Sequence, residues 1–196
     1  MKQLIFVRHG MPDEGHLTRP HDPPLNEIGL RQAEELAKHL SRAGVDLIVS
    51  SPQMRAQNTA APLAAALRLP IETVNDLAEV DLYTDRYRSP QTIRQEYPDR
   101  WAAFLESPAN FFGRDDKSFR LGVVSAVTDV MAREATTIAL FTHGTPIRTM
   151  VQHARGPGRV ARFTIGHCSI TRLAGSHIDS LRVQIINESV VTQVTV

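Results

Sequence analysis

The sequence predicts an α/β fold, a three-layer sandwich with a largely parallel central sheet and a small helical insertion over one edge of it. Three observations carry that expectation. The runs "QLIFV" (3–7), "VDLIVS" (45–50) and "TTIALFT" (136–142) are short and largely apolar on consecutive positions, as strands covered on both faces are. Helical-period segments separate them, and strands alternating with helices build a parallel sheet between helical layers. Residues 75–118 interrupt this alternation with a composition of their own.

Taken in order, "QLIFV" is the first strand. "LNEIGLRQAEELAKHLSRAG" (25–44) reads as a helix, because Ile28, Ala33, Leu36, Ala37 and Leu40 recur at helical spacing. Asn26 is its expected cap and Gly44 its expected end. "VDLIVS" is the second strand. Ser50 or Ser51 then caps a helix with Pro52 in its first turn, running through "QMRAQNTAAPLAAAL", where Pro62 predicts a kink or a break. "PIETV" (70–74) is a third, shorter strand. The stretch 75–118 holds the single tryptophan, all three tyrosines and Phe104, Phe111 and Phe112, and it is cut by Pro90, Pro98 and Pro108. It reads as a helical lid inserted into one domain spanning 1–196. "RLGVVSAVTDVMAREA" (120–135) returns to helical spacing, and "TTIALFT" is the fourth strand. "TPIRTMVQHARG" (145–156) is a helix with Thr145 as cap. "CSITRLA" (168–174) and "SLRVQII" (180–186) alternate as closing strands, and the β-prone tail "SVVTQVTV" adds an edge strand.

The 196 residues suit one domain, and 42% hydrophobic with 22% charged residues is ordinary for a globular chain. The 22 Lys and Arg nearly cancel the 21 Asp and Glu, which argues against a nucleic-acid or anionic-membrane surface. The lone Cys168 cannot form an intrachain disulfide, so a reducing compartment is expected. No apolar run approaches the roughly 20 residues of a membrane span, and "MKQLIFVRHG" is too short for a signal-peptide core of about 7–15. The expectation is a cytoplasmic protein; a homodimer is compatible with the sequence.

In α/β sheets ligands bind beyond the carboxyl ends of the strands. Arg8, His9, Arg55 and His143 all follow such ends, so three parallel strands would deliver two guanidiniums and two imidazoles to one edge. Arginine is a fixed fork of donors matched to phosphate oxygens. Arg55 and His143-Gly144-Thr145 lie at helix starts, where backbone N–H groups favour anions. Gly10 and Gly144 let the backbone approach a ligand closely. A neutral imidazole is a competent nucleophile. The set is therefore suited to bind a phosphate and to attack it.

These residues carry a resemblance. "VRHG" looks like the signature of the histidine phosphatase superfamily, the phosphoglycerate mutase-like proteins. "PLNEIGLRQAEELAKHL", "DLIVSSPQMRAQNTA", "DLAEVDL", "THGTPIR" and "GHCSITRL" resemble its later segments in order, from residue 4 to about 173. The resemblance implies a phosphatase of its phosphatase branch. His9 would become phosphohistidine, Arg8, Arg55 and His143 would hold the phosphoryl oxygens, and Glu79 would protonate the leaving oxygen, with Asp81 the neighbouring alternative. Gly144 and Thr145 would add phosphate contacts. Water would hydrolyse the phosphohistidine with Glu79 as base. No metal or other cofactor is required, since the arginines supply the positive charge. The implied partner is a small phosphorylated molecule.

The chain also departs from the family pattern. Met11 and Pro12 follow the signature where Glu or Gln and then Ser or Thr are frequent. Gly15 stands where an asparagine is common. "LYTDRYR" replaces "GxWEG", and "GRDDKS" replaces "GGES". These changes touch substrate reading more than the reaction. A phosphomutase is the rival enzyme, disfavoured by the missing asparagine and the short insertions. A non-catalytic phosphate-binding protein is the rival of another class, disfavoured by the pairing of His9 with Glu79. Taken singly, His16 and His21 read as solvated loop residues. His39, His153, His167 and His177 lack metal-binding spacing, and Arg86, Arg88, Arg94, Arg100 and Arg114 read as a charged face of the insertion.

Overall fold

The computed structural model describes residues 1–156 and 163–191. Six strands form one sheet: β1 (Lys2–Arg8), β2 (Leu47–Ser50), β3 (Ile71–Thr73), β4 (Thr137–Thr142), β5 (Ile170–Gly175) and β6 (Arg182–Glu188). Their order is β3-β2-β4-β1-β5-β6. The first four are parallel, whereas β5 and β6 join antiparallel at one edge.

Side chains alternate across a strand, so each of the two faces has its own core. Ile5, Val7, Ile48, Ala139 and Phe141 point to the face covered by α1 (Glu27–Leu40) and α2 (Met54–Leu67), meeting Leu36, Leu40, Ala60 and Leu63. Leu4, Phe6, Val49, Ile138 and Leu140 point to the face covered by α6 (Asp116–Met131) and α7 (Gly144–Arg155), meeting Val123, Val127, Ile147 and Met150. Burying each large apolar side chain contributes about 1.5–3 kcal/mol. The consecutive apolar runs thus reflect burial on both faces.

Helix boundaries depart from the sequence expectation where capping decides them. Asn26 caps α1 as expected, its Oδ1 accepting from Gly29 N at 2.8 Å, but the helix ends at Leu40 and Gly44 (φ 70°) lies in the following turn. Helix α2 begins at Met54, so Pro52 lies outside it, and the helix runs unbroken through Pro62 to Leu67. Its buried face of Ala56, Thr59, Ala60 and Leu63 holds it in place despite the missing N–H. Helix α6 starts before 120 because Asp115 caps it, accepting from Ser118 N at 2.8 Å. Helix α7 starts at Gly144 with His143 at the cap position, so Thr145 is not the cap.

Between β3 and α6 lie α3 (Pro90–Glu96), α4 (Trp101–Glu106) and α5 (Pro108–Phe111), with short 3₁₀ turns. Trp101, Phe104, Phe111 and Phe112 form a ring cluster there. Of the expected tail strand, 189–191 are irregular and 192–196 lie outside the described residues.

Candidate active site

The parallel neighbours β2, β4 and β1 end side by side. Arg8 pairs in register with Thr142, and His9 N donates to Thr142 O at 3.0 Å. The next residue after each strand end therefore reaches one hollow: His9 from β1 and His143 from β4. From β2, the turn Ser51-Pro52-Gln53 leads into α2, whose second residue is Arg55.

His9 is 2% exposed. Its Nδ1 lies 2.7 Å from the carbonyl oxygen of Gly10. A carbonyl can only accept, so Nδ1 carries the proton and Nε2 presents a lone pair. Burial first, then the charges of Arg55, His143, Arg8 and His167, hold this imidazole well below its ordinary pKa of 6.5. The backbone beneath it is pinned: Gly10 N donates to Thr59 Oγ1 at 2.9 Å and Met11 N to Gln32 Oε1 at 3.0 Å. A Cβ on Gly10 would lie 2.8 Å from Gly29 O, and one on Gly29 would lie 2.1 Å from Met11 O, so two chains pass here at backbone contact.

The ring of His143 is 5.1 Å from that of His9, centroid to centroid. Its Nε2 is 2.8 Å from Ser51 Oγ, which accepts from Gln53 N at 3.3 Å. When the Ser51 hydroxyl donates to Nε2, the proton of this neutral imidazole sits on Nδ1; the reverse bond, from Nε2–H to Ser51 Oγ, has the same geometry. That buried Nδ1 has no hydrogen-bond partner among the described residues. Burial, then Arg55 and Arg8, lower the pKa of His143 too.

Arg55 is fully buried. Its Nη2 donates to both Asp81 oxygens, at 2.9 and 3.1 Å, and Nη1 lies 4.0 Å from Asp22. Its guanidinium carbon sits 4.7 Å from the centre of the Tyr87 ring. Burial opposes its charge, but Asp81, Tyr87 and Glu79 together more than offset this and hold the pKa above its ordinary value. Arg55 Nε and Nη1 and Arg8 Nε are buried without hydrogen-bond partners among the described residues, while Arg8 Nη1 donates to Ile165 O. Buried polar groups are normally paired, so these nitrogens together with His143 Nδ1 mark a place for an acceptor-rich ligand.

Glu79 lies at the start of α7. Its Oε2 accepts from Thr145 N at 3.0 Å and its Oε1 from Val80 N at 2.9 Å. The Thr145 N–H, expected to face an anion, is thus engaged by Glu79. Gly144 sits between two charged groups: a Cβ there would be 3.7 Å from Arg148 Nη1 and 3.9 Å from Glu79 Oε2. Asp81 is occupied by Arg55 and by Gln53 Nε2, the latter at 2.9 Å.

Several neighbours escaped sequence reasoning. His167 lies 5.6 Å from the His9 ring, its pKa lowered to about 3 by burial and then by Arg8. Tyr87 stands edge-on to His9 at 6.5 Å, and burial raises its pKa. Arg148 packs near Glu79 with its own pKa lowered, chiefly by burial. The late segment "GHCSITRL" and the arginine of "THGTPIR" were visible signals, while Tyr87 had none. Cys168 is buried, its thiol pushed up to about 12 by burial. His21 is exposed, and His16 accepts from Arg19 N at 3.2 Å within its own loop. Among the described residues no cluster of three His, Cys, Asp or Glu side chains could hold a metal ion.

Sheet order and strand-end site together describe an α/β protein with a buried cluster of guanidinium and imidazole groups at its strand ends. The chain belongs to the histidine phosphatase superfamily (branch 1), whose family model matches residues 4–187. Phosphoserine phosphatase 1 of Hydrogenobacter thermophilus is 28% identical over 157 residues, 76% of this chain and 74% of that protein. A relative from Proteus mirabilis that carries the name of a phosphoglycerate mutase is 28% identical over 182 residues, 88% of this chain and 85% of its own. In structure the chain is similar to a mycobacterial glucosyl-3-phosphoglycerate phosphatase solved with VO3, at a TM-score of 0.79 and 24% identity, covering 96% of this chain and all (100%) of that one.

Proposed function

We propose that the protein is a phosphomonoesterase that hydrolyses a small phosphate ester through a phosphohistidine on His9. The observation that carries this reading is the convergence of buried nitrogens without hydrogen-bond partners, from Arg8, Arg55 and His143, around a neutral histidine whose Nε2 presents a lone pair. His9 Nε2 attacks phosphorus, and the ester oxygen leaves with a proton from Glu79. Water then attacks the phosphohistidine, gives its proton to Glu79, and inorganic phosphate departs. Charge spreads over the equatorial oxygens in both steps, and fixed cations and donors stabilise it there. Arg8 and Arg55 do the work a metal does elsewhere, so the reaction runs without one. Asp81, bound to Arg55, is a counter-ion and leaves the proton transfer to Glu79.

The chain works as a single domain in which 75–118 closes over the site. Support comes from Tyr87 N donating to Pro20 O at 2.6 Å. Glu14 adds to it, accepting from Ser89 N at 2.8 Å and Thr92 Oγ1 at 2.6 Å, which joins this segment to the loop after the nucleophile. The reduced lone cysteine and near-zero net charge suit a cytoplasmic enzyme that binds no nucleic acid. No described helix is long and apolar enough to cross a membrane.

The test is release of inorganic phosphate from a panel of small phosphate esters, with trapping of an acid-labile, base-stable phosphoenzyme. Phosphate release that survives His9→Ala would overturn the assignment. Conversion of a phosphoglycerate to its isomer without phosphate release would favour the mutase reading raised by the Proteus mirabilis relative.

A further inference from the structure

We infer that Gln53 is a positioning residue that couples the phosphate clamp to the proton donor through its two amide atoms. This rests on the reaction proposed above. Gln53 is 1% exposed and stands in the turn between β2 and α2. Its Oε1 accepts from Glu79 N at 2.7 Å, and its Nε2 donates to Asp81 Oδ1 at 2.9 Å. The orientation is dictated by chemistry: a backbone N–H needs an acceptor and a carboxylate needs a donor, so the amide fits only one way round. Both oxygens of Asp81 also accept from Arg55 Nη2, Oδ1 at 2.9 Å beside the Gln53 bond and Oδ2 at 3.1 Å. The backbone N–H of Gln53 reaches Ser51 Oγ, which orients His143. One buried side chain therefore fixes the main chain that carries Glu79 and the counter-ion that aims Arg55.

The amide spends both functions on site residues, one on each side. Packing alone does not call for this, since an apolar side chain of similar length fills the same space. An apolar residue at 53 leaves Glu79 N and Asp81 Oδ1 each short of a buried partner, and both Glu79 and Arg55 gain freedom to drift. Small displacements of positioned groups can cost about 10²-fold in rate.

The two halves of the amide can be separated. Gln53→Leu removes both contacts. Gln53→Glu keeps an acceptor for Glu79 N but replaces the donor to Asp81 with a carboxylate, which pushes Asp81 away from its place on Arg55. The measurements are kcat/KM for an alkyl phosphate and for nitrophenyl phosphate, the affinity for inorganic phosphate, and the melting temperature. In Gln53→Leu the alkyl ester should lose about 10–100-fold and the nitrophenyl ester clearly less, with weakened phosphate binding. In Gln53→Glu phosphate binding should weaken about tenfold or more while the alkyl-to-nitrophenyl ratio stays near wild type.

A purely structural glutamine would lower the melting temperature and both rates by one common factor, with phosphate affinity per folded molecule unchanged; that pattern, or wild-type values throughout, overturns the inference. If Gln53→Leu does not fold, the Gln53→Glu pattern decides. If the wild-type protein turns over neither ester, the proposed reaction fails on its own, and phosphate titration of both variants still reads the coupling of Gln53 to Arg55.

Discussion

The strand-end cradle and the 75–118 insertion both hold several arginines, and they use them in opposite ways. In the insertion each guanidinium is already engaged. Arg88 donates to Asp85 at 2.7 Å and to Glu96 at 3.1 Å, and Arg86 donates to Glu96. Arg94 and Arg100 lie over the Trp101 and Phe111 rings, 5.9 and 4.5 Å from their centres. In the cradle, Arg55 spends one nitrogen on Asp81 and keeps Nε and Nη1 buried without hydrogen-bond partners among the described residues, Nη1 lying 4.0 Å from Asp22. A guanidinium that is buried with donors unspent is a binding group, whereas one already held by a carboxylate or an aromatic face is structural. Residue type alone does not separate the two; the remaining hydrogen-bonding capacity does.

That contrast can be broken most sharply at His9. If chemistry belongs to the cradle alone, His9→Ala should lower turnover on the order of 10⁶-fold, as loss of a nucleophile does, while Arg100→Ala in the insertion leaves it within twofold, about the scatter of an assay. Circular dichroism should show both variants folded. Next comes Glu79→Gln. General acid catalysis typically contributes about 10²–10⁴-fold, so an alkyl phosphate should suffer within that range. A nitrophenyl phosphate, whose phenolate leaves unaided, should suffer far less. Equal losses for the two esters in burst-phase kinetics would remove Glu79 as proton donor.

A matched pair of arginines sharpens the comparison directly. Arg55→Ala should cut kcat/KM by about 10²–10³-fold for both esters alike. It should also destabilise the fold by about 3–5 kcal/mol in urea unfolding, because Asp81 is left buried without its partner. Arg88→Ala should leave kcat/KM unchanged and cost about 1 kcal/mol or less, as exposed pairs do.

Stability against pH separates the two regions as well, and they should titrate in different windows. His9, His143 and His167 have pKa values lowered in the folded state, His167 to about 3. Below their ordinary value of 6.5 the unfolded chain takes up protons that the folded chain refuses. Their contribution is therefore complete above about 6.5 and is lost as pH falls. In the insertion, the Arg88 hydrogen bond lowers Asp85 to about 2 from an ordinary 3.8, so its contribution persists down to about pH 4 and fades only below that. His167→Gln should flatten the slope of unfolding free energy between pH 6 and 4 by up to about 1.4 kcal/mol per pH unit, and Asp85→Asn should leave that window unchanged.

Much of the cradle was legible in the sequence for a local reason. Arg8, His9 and His143 each follow an apolar run, and a parallel sheet carries such positions to one edge whatever the connections between them. Helix starts were less legible. Of the two expected caps of α2, Ser50 donates to Ser51 O, and Ser51 accepts from Gln53 N and lies against His143, while the Asp115 cap of α6 falls within the stretch that reads as the insertion. What could not be read were contacts between residues distant in the chain. Nothing near Asp81 shows that it serves Arg55, and nothing near Tyr87 places its ring against Arg55 and His9. These pairings arise only when the segment after β3 folds back over the strand ends.

The backbone contact between Gly10 and Gly29 has a consequence for anyone reshaping this protein by random mutagenesis. Any side chain at position 29 would collide with the main chain of Met11, and any at position 10 with the main chain of Gly29. Neither glycine has an atom with which to touch a substrate, yet both should tolerate replacement as poorly as His9 does. A map of forbidden positions would therefore extend one layer behind the chemistry, into the first turn of α1. Libraries aimed at new substrates should leave that layer untouched and draw their diversity from the surface of the 75–118 segment.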